Sequence, residues 1–171
     1  MTSDDDKKTT EERSGEPEAM PEGRVQVVEH HTPELLWQAR WLEHPNSASG
    51  LLASIVCVAD VGEAAARFAR FAEAGIRREE PNAHVETRGH GRILIIDAAT
   101  ARASLGLAPP CLPWIAGVVL RVDDFQATLR CLERAGNRPT RRGDAVIARG
   151  PVELGGVFVF TAAEDAEFAP A

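Results

Sequence analysis

The sequence contains two copies of one pattern, and this repeat limits the fold more than any other feature. In each copy an apolar strand ends in an aspartate that can cap a following helix. The first copy reads Ser54-Ile55-Val56-Cys57-Val58-Ala59-Asp60. The second begins 64 residues later and reads Val118-Val119-Leu120-Arg121-Val122-Asp123-Asp124. We interpret the pattern as an internal duplication.

Both copies continue with the same kinds of element. The first helix is expected over 61–74 with Gly75 as its stop, and the second follows Asp124 and ends at Gly136. A turn at Gly89-His90-Gly91 separates two expected strands, and a short helix is expected over 98–105. The expected strands are 51–59, 84–88 and 92–96 in the first copy, and 115–122, 145–148 and 157–160 in the second. Helices followed by paired strands favour α+β units over a parallel βαβ fold.

Composition excludes several classes of function. The formal net charge is -7, with no basic stripe, so no nucleic-acid partner is expected. The only lysines, Lys7 and Lys8, lie in an acidic, polar N-terminal segment, and there is no tyrosine; this removes Schiff-base, P-loop and phenolic chemistry. No apolar run is long enough to span a membrane, and the polar N-terminal segment is not a secretory signal. A cytoplasmic protein is therefore expected, with Cys57, Cys111 and Cys131 as free thiols.

Three local signatures resemble the C-terminal portion of glyoxalase-like proteins of the vicinal oxygen chelate (glyoxalase/bleomycin resistance/extradiol dioxygenase) superfamily. The first is Glu29-His30-His31-Thr32-Pro33-Glu34-Leu35-Leu36-Trp37, followed by His44-Pro45-Asn46. The second is the strand ending in Val-x-Asp before an alanine-rich helix. The third is the segment 106–113 that leads into a strand, together with the closing segment 155–160.

The resemblance implies an α+β fold of paired βαβββ-like modules. These modules form a curved mixed sheet, with helices on its outer face and a ligand on its concave face. Together with the polar, acidic composition of the first 23 residues, it predicts five segments along the chain. They are a disordered acidic tail (1–23), a strand and short helix resembling the end of a preceding module (24–50), a first module (51–110), a second module (111–163) and a C-terminal tail (164–171).

The same resemblance implies a lyase, isomerase or dioxygenase type of activity on a small organic molecule. In the superfamily a divalent metal (Zn, Ni, Mn or Fe) holds two neighbouring oxygens of the substrate. This sequence departs from that pattern, because the matching ligand positions hold Ala53, Gly117 and Val159, which cannot ligate a metal. The only polar match is Gln26.

The remaining candidate residues lie in or just after the strand expected over 25–30. Glu29 and His31, with Gln26, are candidate metal ligands, and His30 and Trp37 are candidate substrate contacts. These residues also have a purely structural interpretation. The polar residues at the strand end would form hydrogen bonds to the next helix, and Trp37 would anchor a core or an interface. His84 and His90 are expected at the surface.

Three functions stay open: an enzyme, a non-catalytic protein that sequesters a small molecule, and an assembly module without a metal site. A sizeable pocket lined by Gln26 and a histidine would favour the first two. A flat or filled concave face would favour the third, in which a second chain, as in a homodimer, supplies missing surface.

Overall fold

The computed structural model describes residues 10–14, 20–23, 26–87 and 91–163, with only the backbone for 10–14, 26 and 27. The chain divides into two compact units, Met1–Leu42 and Glu43–Ala171. In the first unit, β1 (Thr10–Ser14) pairs antiparallel with β2 (Gln26–His30). A one-turn helix α1 (Pro33–Leu36) and a 3-10 turn (Ala39–Trp41) follow. Thr32 precedes α1, and its side chain makes no capping hydrogen bond.

The second unit is an eight-stranded mixed sheet with three helices. Its elements are β3 (Ala48–Cys57), α2 (Val61–Ala72), β4 (Gly75–Glu79), β5 (Asn82–Glu86), β6 (Arg92–Ile96), α3 (Ala98–Leu105), β7 (Trp114–Val122), α4 (Phe125–Arg134), β8 (Thr140–Arg142), β9 (Ala145–Arg149) and β10 (Val157–Thr161). The strand order is β4-β5-β6-β3-β7-β10-β9-β8, and the sheet is curved and unclosed. The predicted α+β fold of paired modules is confirmed: β3-α2-β4-β5-β6 is the first βαβββ copy and β7-α4-β8-β9-β10 is the second.

Strand register agrees with the duplication residue by residue. The two copies meet where β3 pairs antiparallel with β7, and Ser54 lies opposite Val118. Ala53 pairs with Val119, and Ile55 pairs with Gly117. A shift of 64 residues converts either pair into the other. The copies are therefore related by a pseudo-twofold axis at the Ser54–Val118 pair.

Aspartates start the helices of the second unit. The carboxylates of Asp60 and Asp124 accept hydrogen bonds from the backbone N–H groups of Glu63 and Ala127, each at 2.9 Å. Asp97 caps α3 in the same way, at 2.7 Å from the Thr100 nitrogen. Each bond satisfies an amide that has no partner within its helix.

In the second unit, two strands, β4 and β8, were absent from the sequence expectation. Gly75 does not stop the first helix; it begins β4, and the helix ends at Ala72 with Glu73 in the left-handed region at φ 51°. The expected strand over 84–88 lies over Asn82–Glu86 instead. β8 was also missed. The predicted turn at Gly89-His90-Gly91 lies mostly outside the described residues, which resume at residue 91.

The two faces of the large sheet are both covered. Helix α2 contacts β4, β5 and β6, while Phe125 and Leu132 of α4 pack against Phe160 and its neighbours. Helix α3 packs on the opposite face, which we call the α3 face. Its buried apolar residues are Ala53, Ile55, Cys57, Leu94, Ile96, Val119, Ile147, Val157 and Val159, together with Ala101 and Leu105 of α3 and the following Leu107. Burial of these side chains supplies most of the driving force for forming this layer.

Candidate functional site

The positions where the superfamily resemblance places metal ligands lie on the α3 face. Ala53 pairs with Val119, and Val119 pairs in turn with Val159, so the three side chains sit side by side across β3, β7 and β10. Ala53 is 4% exposed and Val159 is 1% exposed, and both belong to the apolar core. These positions offer methyl groups and no lone pairs.

Gly117 has no room for any side chain. A Cβ atom at this position would overlap the carbonyl oxygen of Val157 and lie 3.0 Å from its carbonyl carbon and its Cγ2. Gly117 pairs with Val157 in the parallel β7–β10 ladder, and on its other side the β3–β7 register shifts directly after the Ile55–Gly117 pair. A histidine at 117 is therefore incompatible with this backbone, and the donor set at these positions does not fit a metal.

One polar network lies at the β4–β5 end of the sheet. His84 pairs across the strands with Leu94, so it faces the α3 side, and it is 1% exposed. Its Nε2 lies 2.9 Å from Oε2 of Glu79, and Arg77 donates hydrogen bonds to Glu79 (3.3 Å) and Glu86 (3.1 Å). The expectation that His84 lies at the surface is wrong, because β5 starts two residues earlier than predicted and its middle is buried.

The charge state of His84 follows from its burial. Burial lowers the pKa of His84, and the neighbouring Arg77 lowers it further, against the opposing effect of Glu79. Since the Glu79 carboxylate only accepts, Nε2 of the neutral ring carries the proton. Nδ1 then holds a lone pair, and it has no hydrogen-bond partner among the described residues. The ring is enclosed, so it is a structural anchor for Glu79.

The other end of the α3 face holds a small cavity between the end of α3 and the β8–β9 hairpin. Its volume is about 110 Å³, and it is lined by Leu105, Gly106, Arg138, Thr140, Arg142, Ile147 and Arg149. Arg149 Nη2 donates to the carbonyl oxygen of Gly106 at 3.0 Å, which joins β9 to the end of α3. The cavity has an apolar floor, formed by the buried Ile147, and a basic rim.

The candidate residues predicted from the sequence lie in the first unit. Glu29 and His30 are consecutive on β2 and exposed, and His31 follows the strand, also exposed. Gln26 begins β2, but its side chain lies outside the described part. Trp37 is 66% exposed after α1. Within the described residues no three His, Cys, Asp or Glu side chains are grouped to hold a metal ion; the metal and substrate roles of these five residues stay predictions.

The three cysteines are free thiols in different surroundings. Cys57 is buried in the α3 face, Cys131 is half-buried on α4 and Cys111 is exposed. Burial raises the pKa of Cys57, and the nearby Asp97 carboxylate raises it further. Cys57 is therefore a protonated core residue and not a nucleophile.

The arginine cavity was missed at the sequence level, although a signal for it exists. Arg138, Thr140 and Arg142 alternate along the chain, which places them on one face of an extended strand. Only the tertiary fold brings Arg149 and the end of α3 beside them.

Solved structures with a similar fold were found, but comparison by sequence found no match. No family model matches the chain, and no curated protein matches it. Methylmalonyl-CoA epimerase from Mycobacterium tuberculosis aligns at TM-score 0.55 and 18% identity, over 72% of this chain and 94% of the epimerase. Homoprotocatechuate 2,3-dioxygenase from Arthrobacter globiformis aligns at TM-score 0.52 and 13% identity, over 68% of this chain and 37% of the dioxygenase.

A fusion of a xylose isomerase-like TIM barrel with 4-hydroxyphenylpyruvate dioxygenase aligns at TM-score 0.50 and 17% identity, over 75% of this chain and 22% of the fusion. The chain thus spans nearly all of the epimerase but only a part of the two larger proteins. At these identities the likeness establishes the fold alone. Among the described helices, none combines the length and the apolar character that a membrane crossing requires.

Proposed function

Because the chain has the fold of the vicinal oxygen chelate superfamily, we propose that it binds a small organic molecule on the α3 face without a divalent metal. One observation carries the proposal. The positions that would supply metal ligands are filled by two buried apolar side chains, Ala53 and Val159, and by Gly117, where no side chain fits.

The binding place that we propose is the open end of the α3 face, at the cavity beside β8 and β9. The centre of the face is closed, since Ala101, Leu105 and Leu107 pack directly on the sheet. At the β4–β5 end His84 is enclosed and tied to Glu79, so it is not available to a ligand. The cavity has both apolar and polar lining, as small-molecule sites generally do.

The solved relatives guide the choice of probes. The names of two of them contain a compound, methylmalonyl-CoA for the epimerase and homoprotocatechuate for the dioxygenase. An isomerase or dioxygenase activity that uses a metal would need donors from elsewhere, such as the predicted Gln26, Glu29 and His31.

The second candidate function is an assembly module, and two observations favour it. The α3 face is largely filled, which is the outcome that we associated with assembly. The first unit also exposes a group of large apolar side chains, which are Val28, Leu35, Leu36, Trp37, Trp41 and Leu42. Exposed apolar groups of this kind often mark an interface with another chain.

Thermal unfolding in EDTA tests the proposal, with methylmalonyl-CoA and homoprotocatechuate as probes. A probe at about 100 times its dissociation constant stabilises the folded protein by about 2.7 kcal/mol. For a chain of this size that corresponds to a rise of about 5–10 °C in the melting temperature. Stabilisation in EDTA would support metal-free binding, and stabilisation only after a divalent metal is added would contradict it.

Light scattering on the same sample addresses the alternative. A monomer that responds to a probe supports a binding protein. A stable dimer that responds to neither probe would favour the assembly module. In that case the mass should fall to that of a monomer when Trp37 is replaced by Ser.

A further inference from the structure

We propose that the cavity beside β8 and β9 binds one small oxyanion group, a carboxylate or a phosphate. This inference deepens the proposed function, on which it rests, because it names the chemical group by which the ligand is held. The recognising groups are the guanidinium side chains of Arg138, Arg142 and Arg149.

Strand register directs these side chains to one place. Thr140 of β8 pairs with Ile147 of β9, and Arg142 pairs with Ala145. Since alternate residues of a strand share a face, Thr140 and Arg142 lie on the same side of the hairpin as Ile147 and Arg149. The buried Ile147 and the three arginines line the same cavity.

Positively charged residues are grouped at the cavity. Three arginine residues line a cavity whose lining contains no acidic residue, and none of the three has an ion pair in the described part of the chain. Arg77, at the other end of the sheet, shows the usual arrangement, with Glu79 and Glu86 both within 3.3 Å. Grouped cations without counter-charges repel each other, and a bound anion removes that repulsion.

The available donors suit an oxyanion. Arg149 uses one N–H group to hold the Gly106 carbonyl oxygen, which fixes the position of its guanidinium and leaves other N–H groups free. The planar fork of arginine matches the geometry of carboxylate and phosphate oxygens. The Thr140 hydroxyl can donate one more hydrogen bond to the same group.

Volume limits what the cavity can hold. At about 110 Å³ it is smaller than the roughly 300–1,000 Å³ of sites that enclose a whole drug-sized molecule. It accommodates one oxyanion with a few attached atoms. The rest of a larger ligand would extend into solvent from the rim.

Calorimetric titration of the full chain tests the inference, in EDTA and at constant ionic strength. The probes are inorganic phosphate, acetate and acetamide, the last being a neutral compound of the same shape as acetate. Phosphate or acetate should bind, and acetamide should not. The stronger of the two anions identifies the kind of group the site is built for.

Arg142→Gln is the test variant, and Arg141→Gln is its matched control. Both remove one positive charge from the same strand, but Arg141 points to the other face, with its guanidinium 5.6 Å from the centre of the Phe125 ring. Loss of one charged hydrogen bond should weaken binding by roughly tenfold or more in Arg142→Gln. Arg141→Gln should stay within about twofold of the wild type, since a surface charge outside the site acts only through a screened field.

The results with the two variants and the probes decide whether the cavity is an oxyanion site. Equal weakening in the two variants would mean general attraction to a basic surface and would overturn the inference. No binding of phosphate or acetate would also overturn it, and the proposed function would survive only if one of its own probes still stabilised the protein in EDTA. Failure of all probes would overturn both.

Discussion

Replacing Gly117 by alanine is the substitution whose effect the structure predicts most sharply. The new Cβ would overlap the Val157 carbonyl oxygen and lie 3.0 Å from the carbonyl carbon. Relief requires β7 and β10 to move apart at the Val157–Gly117 pair, because the obstacle is backbone and cannot rotate away. Overpacking costs about 1–3 kcal/mol, and each disturbed ladder hydrogen bond adds about 1 kcal/mol.

We therefore expect Gly117→Ala to lower the free energy of unfolding by about 3–4 kcal/mol. For a chain of this length the melting temperature should fall by roughly 10 °C. Urea unfolding gives the free energy, and calorimetry gives the melting temperature. A fall of less than about 0.5 kcal/mol, the usual range of a neutral surface change, would refute the described packing of β7 on β10.

Gly75→Ala is the matched control. Gly75 begins β4, and a Cβ at this position would meet no heavy atom within 4 Å. Because alanine also restricts the unfolded chain more than glycine does, the change should be neutral or stabilising by up to about 1 kcal/mol. A large loss of stability in both variants would show that the assay reports something other than the local overlap.

The remaining predictions concern three other features. Burial holds the pKa of His84 below the unfolded value of about 6.5, so the unfolded chain takes up the proton first and stability should fall as pH drops below about 6.5. His84→Ile should reduce that slope in denaturation curves, and an unchanged slope would assign it to other groups. Asp60→Ala and Asp124→Ala should each cost about 1 kcal/mol through loss of a helix cap, whereas no loss in urea unfolding would contradict the capping role. A thiol reagent should modify the exposed Cys111 in the native protein and leave Cys57 unmodified until unfolding. Mass spectrometry of labelled peptides gives the order of modification, and labelling of Cys57 before Cys111 would contradict the prediction.

Much of the fold was predictable because its signals are local. The Val-x-Asp pattern marked both strand-to-helix junctions, and the spacing of 64 residues reappears in the pairing of Ala53 with Val119 and of Ile55 with Gly117. The helix over 98–105 also matches α3. Cap chemistry and apolar periodicity are encoded within a few residues, so a sequence reveals them directly.

The missed strands β4 and β8 lie at the two edges of the sheet. Arg77, Arg78 and Glu79 in β4, and Arg141 and Arg142 in β8, give segments that read as polar loops. Edge strands commonly carry charges, which discourage pairing with other chains, and this weakens the alternating pattern that identifies a strand. With β4 missed, the start of β5 was displaced and His84 was placed at the surface.

The candidate site was less predictable than the fold. The apolar residues Ala53, Gly117 and Val159 were recognised as departures from a metal site, and the structure adds the reason why none of them can be a ligand. The position of α3 across the sheet, and the meeting of its end with Arg149, depend on contacts between distant residues. The predicted roles of Gln26, Glu29, His30, His31 and Trp37 stay predictions.

Elemental mass spectrometry of the purified full chain tests metal independence most directly, after incubation with Zn, Ni, Mn and Fe salts and removal of unbound ions. We predict less than about a tenth of an equivalent of any divalent metal, because the described residues, those of the α3 face included, do not group the three or four donors that such ions require. About one equivalent of metal, lost in a His31→Ala variant, would contradict the account and support the ligand set Gln26, Glu29 and His31.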